Sequence, residues 1–276
     1  MSAKPIGRVY RALLISWPLL ALPGSLFAQP APEPARSRIN LDALARVEIR
    51  THSLPAAPSV EIPYGVYVPT FYDAARPTPL VVALHGLGSG EMYMMEYAEL
   101  AELAEQYGFL VATPMGYNER GWYGSRGPGN TSREVNALPT NLGELSEQDV
   151  MAVLAIMKRD FNVDPDRTYL IGQSMGGGGT WHLGIKYPGI WAAIAPMAPA
   201  IYSSPDPVVA ARDLPVMVIH GDADESVDVE GTRRWVAKMA ELGMDYRYIE
   251  VRGGTHFSAG RDNIDDVFAF LNGYRR

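Results

Sequence analysis

The sequence predicts an α/β fold in which a mostly parallel sheet of about eight strands is covered by helices on both faces. Three observations lead there. From about residue 47 onward, short apolar, β-rich runs alternate with stretches of helical periodicity. The runs are near-continuously apolar, as strands buried on both faces must be. The stretches between them are long enough to act as crossover helices between parallel neighbours. With 276 residues, 47% of them hydrophobic, the chain can bury one sizeable core. One folded domain is expected over residues 46–276.

Taken in order, residues 1–28 hold Lys4, Arg8 and Arg11 but no acid, then the apolar run "ALLISWPLLAL", then small Ala28 before Gln29. This is the layout of a secretory signal peptide. The apolar run is about half the roughly 20 residues of a membrane span, and Pro18 interrupts it. A secreted or periplasmic protein, cleaved near Ala28, is expected; retention as an anchor is the alternative. Residues 29–45, opening with "QPAPEPARSR", are Pro/Ala-rich and aperiodic, and read as a tether.

"RVEIRTH" and "YGVYVP" follow with no helix between them, which predicts an antiparallel hairpin at the sheet edge. "PLVVALHG" is then a buried strand, and "EMYMMEYAELAELAEQYG" a helix ending at Gly108. After the strand "FLVATP" comes a long Gly- and aromatic-rich loop, residues 116–141; loops of that length are usually functional or disordered. Helix "LSEQDVMAVLAIMKRDF" and strand "RTYLIGQ" lead to Ser174 and a helical segment. Strands "WAAIAPMAP", "PVMVIHGD" and "YRYIEVRG" complete the sheet, with helices "VEGTRRWVAKMAELG" and "NIDDVFAFLNG". The connection between the first two of these strands is too short for a large lid domain, so the site should be open.

Composition removes several function classes. The formal charge of −7 argues against nucleic acid and anionic membrane as partners. The chain has no cysteine, so thiolate nucleophiles and Cys-type metal sites are excluded. No His/Asp spacing suggests a metal.

Gly172-Gln173-Ser174-Met175-Gly176 lies between a strand and a helix, the context in which G-x-S-x-G forms a sharp turn presenting a serine nucleophile. Gly172 and Gly176 relieve that turn, and Gly177 to Gly179 let the helix start close to the sheet and keep space open above Ser174. A phosphate loop would want a Lys beside the glycines, where Thr180-Trp181 stands instead.

A serine hydroxyl needs a base and a third group to orient that base. Of the five histidines, His256 in the Gly-rich "RGGTHFSAG" is the expected base. His182 reads as packing or surface and His52 as structural. Asp224 is the expected acid, Asp222 bonding its own turn, with Glu225 and Asp228 in reserve. Backbone N–H groups of Leu87 and Met175 are placed to form an oxyanion hole, and His85 and Gly86 to shape the "HGLGSG" turn.

Tyr117, Trp122 and Tyr123, with Arg120, read as a substrate-binding wall or as anchors of the long loop. Met92, Met94 and Met95 read as core packing. Asp149 is expected to bond loop backbone or to begin its helix favourably, without a catalytic role. Asn130-Thr131-Ser132 is a glycosylation sequon.

With these residues in place, the chain from about residue 47 resembles the α/β-hydrolase superfamily. The likeness rests on the order Ser174, Asp224, His256 and on "HGLG", "GQSMGG", "HGDADESV" and "GGTHF". Within the superfamily it looks like compact carboxylesterases related to feruloyl esterases, polyhydroxybutyrate depolymerases and prolyl oligopeptidase-type catalytic domains. "NVDPDRTYLIGQSMGG", with "SEQDV" upstream, is the closest likeness.

The resemblance implies an α/β-hydrolase fold and a serine esterase without cofactor, acting on small or polymeric esters, and it favours Asp224 as the acid. Dienelactone hydrolases look similar but use a cysteine, and prolyl oligopeptidases carry a propeller for which there is no room here. A peptidase or acyltransferase using the same three residues is the alternative, followed by a catalytically silent binding module.

Overall fold

The computed structural model describes residues 41–97, 99–130 and 139–276. The signal-peptide reading, most of the tether, Thr131 and Ser132 of the sequon and residues 131–138 of the long loop lie outside the described residues. Eight strands form one sheet: β1 (Glu48–Leu54), β2 (Ala57–Tyr67), β3 (Thr78–Leu84), β4 (Leu110–Pro114), β5 (Val163–Gln173), β6 (Ala193–Met197), β7 (Val216–Gly221) and β8 (Tyr246–Val251). Their order is β1-β2-β4-β3-β5-β6-β7-β8. β1 and β2 form the expected antiparallel edge hairpin, β2 runs antiparallel to β4, and every pairing from β4 through β8 is parallel.

Successive side chains of a strand face opposite sides, and the apolar run in β3 shows why two layers of helix are needed. Leu80, Val82 and Leu84 face a core shared with Val150, Val153 and Met157 of α4 (Leu142–Asp160) and Trp181 of α5 (Met175–Lys186). Trp235 of α6 (Val229–Glu241) completes that layer. Val81 and Ala83 face the other core, with Leu100 and Leu103 of α3 (Leu100–Tyr107) and Phe268 of α8 (Ile264–Asn272). Two shorter helices, α1 (Leu41–Leu44) and α7 (Ser258–Arg261), add Ala43 and Ala259 to this second core. Packing onto the core therefore begins within residues 41–44, ahead of the boundary that composition suggests.

The helix read over residues 91–108 is in fact two helices, α2 (Met92–Met95) and α3. Glu99 takes a left-handed conformation, φ 66°, and the break turns Tyr97 into the core, its hydroxyl against Gly260. α3 and α6 end where the sequence indicates, at Gly108 and Gly243, both at positive φ (71° and 63°), a conformation that costs glycine little. Met94 and Met95 are buried, as core packing requires. Among the described residues no helix is long and apolar enough to cross a membrane.

Parallel pairing carries the C-terminal ends of β3, β5, β6, β7 and β8 to one edge of the sheet. Leu84 pairs with Gly172, Gln173 with Met197, Met197 with Ile219, and Gly221 with Val251. The chain reverses its direction of winding between β3 and β5, where α/β sheets open a crevice. The turns that follow those two strands are the ones holding Leu87 and Ser174.

Candidate active site

Ser174 leaves β5 with φ 59° and ψ −115°, backbone angles a β-carbon disfavours, and α5 begins at the next residue. Its N–H donates to the Met197 carbonyl, and its own carbonyl accepts from Gly178 and Ala200. These bonds hold the turn in its strained form.

The glycines make room for neighbours more than for open space. A β-carbon at Gly172 would run into the Gly176 carbonyl, and one at Gly176 into the Leu84 carbonyl. Side chains at Gly177, Gly178 and Gly179 would meet Pro199, Ala200 and the Tyr123 ring. The expectation that the later glycines keep the space above Ser174 clear is thus corrected: their missing side chains are filled by the 198–200 segment and by Tyr123.

The turn after β8 brings His256 over Ser174, with Nε2 2.9 Å from the serine Oγ. On the other side of the ring, Nδ1 lies 2.7 Å from Asp224 Oδ2. With Nδ1–H donating to the carboxylate, Nε2 is left to accept the serine proton. The Asp224 side chain is fully buried, and its Oδ1 accepts from the amides of Ser226 and Val227, both at 2.8 Å. Burial alone would push its carboxyl upward. The Val227 and Ser226 amides and His256 outweigh that and hold it below the ordinary carboxylate range.

Glu225 and Asp228 take no part; Asp228 instead caps α6 by accepting from the Glu230 amide. Asp222 does not bond its own turn as expected. Its carboxylate accepts from the Gly253 amide at 2.6 Å, tying the acid-bearing turn to the histidine-bearing one. Ala223 N–H, donating to the Gly254 carbonyl, adds a second tie.

Two site residues escape the sequence reading. His220, within β7, is fully buried; its Nε2 lies 3.1 Å from both Asp224 Oδ2 and the Val227 carbonyl, and its Nδ1 2.7 Å from Thr232 Oγ. Two acceptors at Nε2 require the proton there, so Nδ1 accepts from the threonine hydroxyl. Burial lowers the His220 pKa against the pull of Asp224, favouring the neutral ring. Gln173 donates from Nε2 to the His256 carbonyl at 3.1 Å, and its Oε1 sits beneath Gly86 of the β3 turn. The signals were a polar residue at the end of an apolar strand in each case.

Leu87 lies in the turn after β3, and among the described residues its amide has no backbone acceptor. The Met175 amide is the first of α5, one of the helix-start donors that lack an intrahelical acceptor. His85 braces the turn from below, its ring nitrogens each 2.8 Å from a carbonyl, those of Gly86 and Met115.

The aromatic loop is anchored more than it is displayed. Tyr123 is fully buried, donates from its hydroxyl to the His85 carbonyl and packs on Gly179, so it offers no surface to a substrate. Tyr117 donates its amide to Asp149 and packs on the cluster of Leu54, Ile62 and Leu145. For Tyr123 the substrate-wall expectation gives way to the anchoring one, because its ring is wholly taken up in packing, whereas Tyr117 is half-buried. Trp122 is nearly buried but carries Arg126 3.5 Å above its ring.

Asp149 bonds loop backbone as expected, accepting from Gly116 and Tyr117 at 2.6 and 3.0 Å, and it also pairs with His52 at 2.6 Å. His182 is held by Glu147 at 2.8 Å.

Comparison with known proteins accords with this geometry. The chain is 28% identical over 166 residues to a bifunctional acetylxylan esterase/xylanase of Neocallimastix patriciarum, covering 60% of this chain and 22% of that protein. A thermostable esterase structure superposes with TM-score 0.68 at 27% identity, over 85% of this chain and 64% of the other. A CE1 ferulic acid esterase from Anaeromyces mucronatus superposes with TM-score 0.64 at 18% identity, over 83% and 90%. The chain thus spans less than two thirds of the first two of these relatives. Sheet order and these superpositions identify the α/β-hydrolase fold. The Esterase family model matches residues 56–258, well over half of the sequence, and the chain belongs to that family.

Proposed function

We propose that the protein is an exported serine hydrolase of carboxylic esters working through an acyl-enzyme. Ser174 Oγ attacks the ester carbonyl carbon while His256 Nε2 takes its proton, and Asp224 holds the resulting imidazolium. The carbonyl oxygen, now negative, is met by the Leu87 and Met175 N–H groups. Collapse of the tetrahedral intermediate breaks the bond to the alkoxy oxygen, which leaves with the proton from His256. Water, deprotonated by the same nitrogen, then attacks the acyl-enzyme; Ser174 departs with that proton and the acid is released. No step calls for a cofactor.

The observation that carries this reading is the hydrogen-bonded series from Ser174 through His256 to Asp224, at 2.9 and 2.7 Å, beside the Leu87 and Met175 amides, which have no backbone acceptor among the described residues. The relative that acts on acetylxylan and the fold neighbour that acts on ferulic acid esters support small acyl, aryl and polymeric esters as substrates.

The test is hydrolysis of p-nitrophenyl esters from acetyl to long acyl chains, with a feruloyl ester, by wild type and Ser174→Ala. The variant is expected to lose at least about 10⁴-fold in kcat, and a fluorophosphonate to label only the wild type. Retained turnover in the variant would sink the proposal. N-terminal sequencing of the exported product checks cleavage near Ala28.

A further inference from the structure

A cavity of about 900 Å³ runs along α5, lined by Gly178, Trp181 and Ile185. Its size lies within the range of small-molecule sites. Ile201 and Trp235 also line it, both buried, and the exposed Arg126 stands at its rim. The lining includes none of Ser174, Met175, Leu87 and His256; the cavity adjoins the serine turn through Gly178 and Ala200, whose amides both donate to the Ser174 carbonyl, at 3.0 and 2.9 Å. From Gly178 to Lys186 the floor extends for about 12 Å at 1.5 Å per helical residue.

Two features describe the occupant. The lining is apolar and aromatic: Ile185 and Tyr202 offer accessible surface over a nearly buried base of Trp181 and Trp235, whose rings lie 4.7 Å apart. The charge at the cavity is uneven. Lys186 and His182 also line it, but Glu147 engages both, at 2.6 and 2.8 Å. Arg126 has no carboxylate within ion-pair distance among the described residues. Its guanidinium carbon sits 3.5 Å from the Trp122 ring centre and 4.9 Å from that of Tyr202. These ring contacts occupy none of its N–H donors, which leaves a planar fork that matches a carboxylate.

We propose that this cavity holds the non-reacting body of the substrate and selects esters that carry a carboxylate on an otherwise apolar body, with Arg126 as the recognising cation. The inference rests on the ester-hydrolase reading of Ser174 and adds the substrate class to it. The body lies against Ile185 and Tyr202, and the carboxylate faces Arg126.

Two matched substrate pairs test it. One places the charge on the acyl half (p-nitrophenyl hydrogen adipate against p-nitrophenyl hexanoate), the other on the alcohol half (4-acetoxybutanoate against butyl acetate). Wild type is expected to favour the anionic member of one pair in kcat/KM, and Arg126→Met to reduce that member's kcat/KM, through KM, about tenfold more than its neutral partner's. Equal losses on both members, or no preference for the anion in either pair, would overturn the proposal. A second measurement separates it from the chemistry: titration of Ser174→Ala with 4-phenylbutyrate, read by tryptophan fluorescence. Saturable binding that Arg126→Met weakens supports the site even where no ester is cleaved. Hydrolysis without such binding leaves the esterase and removes the site.

Discussion

Asp224 carries more of the site than its place in the hydrogen-bonded series suggests. Its two oxygens serve four groups, the Ser226 and Val227 amides, His256 and His220. Asp224→Asn retains the shape but puts an amide where the His256 Nδ1–H needs an acceptor, so kcat is expected to fall by about 10⁴-fold in steady-state assays. His220 acts through Asp224 and is a positioning residue. His220→Ala should lower kcat about tenfold with KM little changed, and His220→Gln, which keeps an N–H donor, should restore most of the loss. Equal loss in both variants, or a loss confined to KM, would refute that role.

At this scale, polar residues in the turns that follow strands were legible as candidates, and Ser174, Asp224 and His256 are all of that kind. His220 and Gln173 were not, because they belong to the last residues of strands whose side chains alternate between two cores. Only the pairing with neighbouring strands and turns decides what such a residue touches.

Elements meet at this site with almost no space between them, and α5 is the clearest case. A β-carbon at Gly176 cannot coexist with the Leu84 carbonyl of β3, so Gly176→Ala must push the helix off the sheet. It should cost about 1–3 kcal/mol or more, as overpacked cores do, and lower kcat by displacing Ser174. Gly189→Ala, where a β-carbon meets nothing within 4 Å, is the control, expected to match wild type in urea unfolding and in turnover. The run of glycines is readable as a close approach, but not what approaches. Tyr123 comes from a loop whose sequence carries no periodicity, and its burial follows from contacts made far along the chain. The break at Glu99 was equally hidden, since no glycine or proline marks it.

Across the whole molecule, two carboxylates fasten one face of the sheet each. Glu147 of α4 accepts from His182, Lys186 and Tyr187; Glu105 of α3 accepts from Thr70, Tyr67 and Arg46. In each, burial pushes the pKa up but the hydrogen bonds win and bring it to about 2. Folded values below the unfolded value of 4.5 mean the stabilisation is complete above about pH 4.5 and is lost as pH falls toward 2. Urea midpoints measured between pH 7 and pH 2.5 should therefore decline in that window. The double variant Glu105→Gln, Glu147→Gln should start lower at pH 7 and decline less steeply. A parallel decline would assign the acid sensitivity to other groups. The order of layers was legible from alternation of strand and helix, while these two fasteners were not, because each joins residues more than thirty positions apart.

The angles at Ser174 bear on how this protein could be improved. A φ of 59° with ψ of −115° is a conformation suited to glycine, so Ser174→Gly should melt at a higher temperature than wild type while hydrolysing nothing. Any campaign that selects variants on heat resistance alone would be drawn toward position 174 and would enrich dead protein. Thermal selection here has to be coupled, round by round, to turnover.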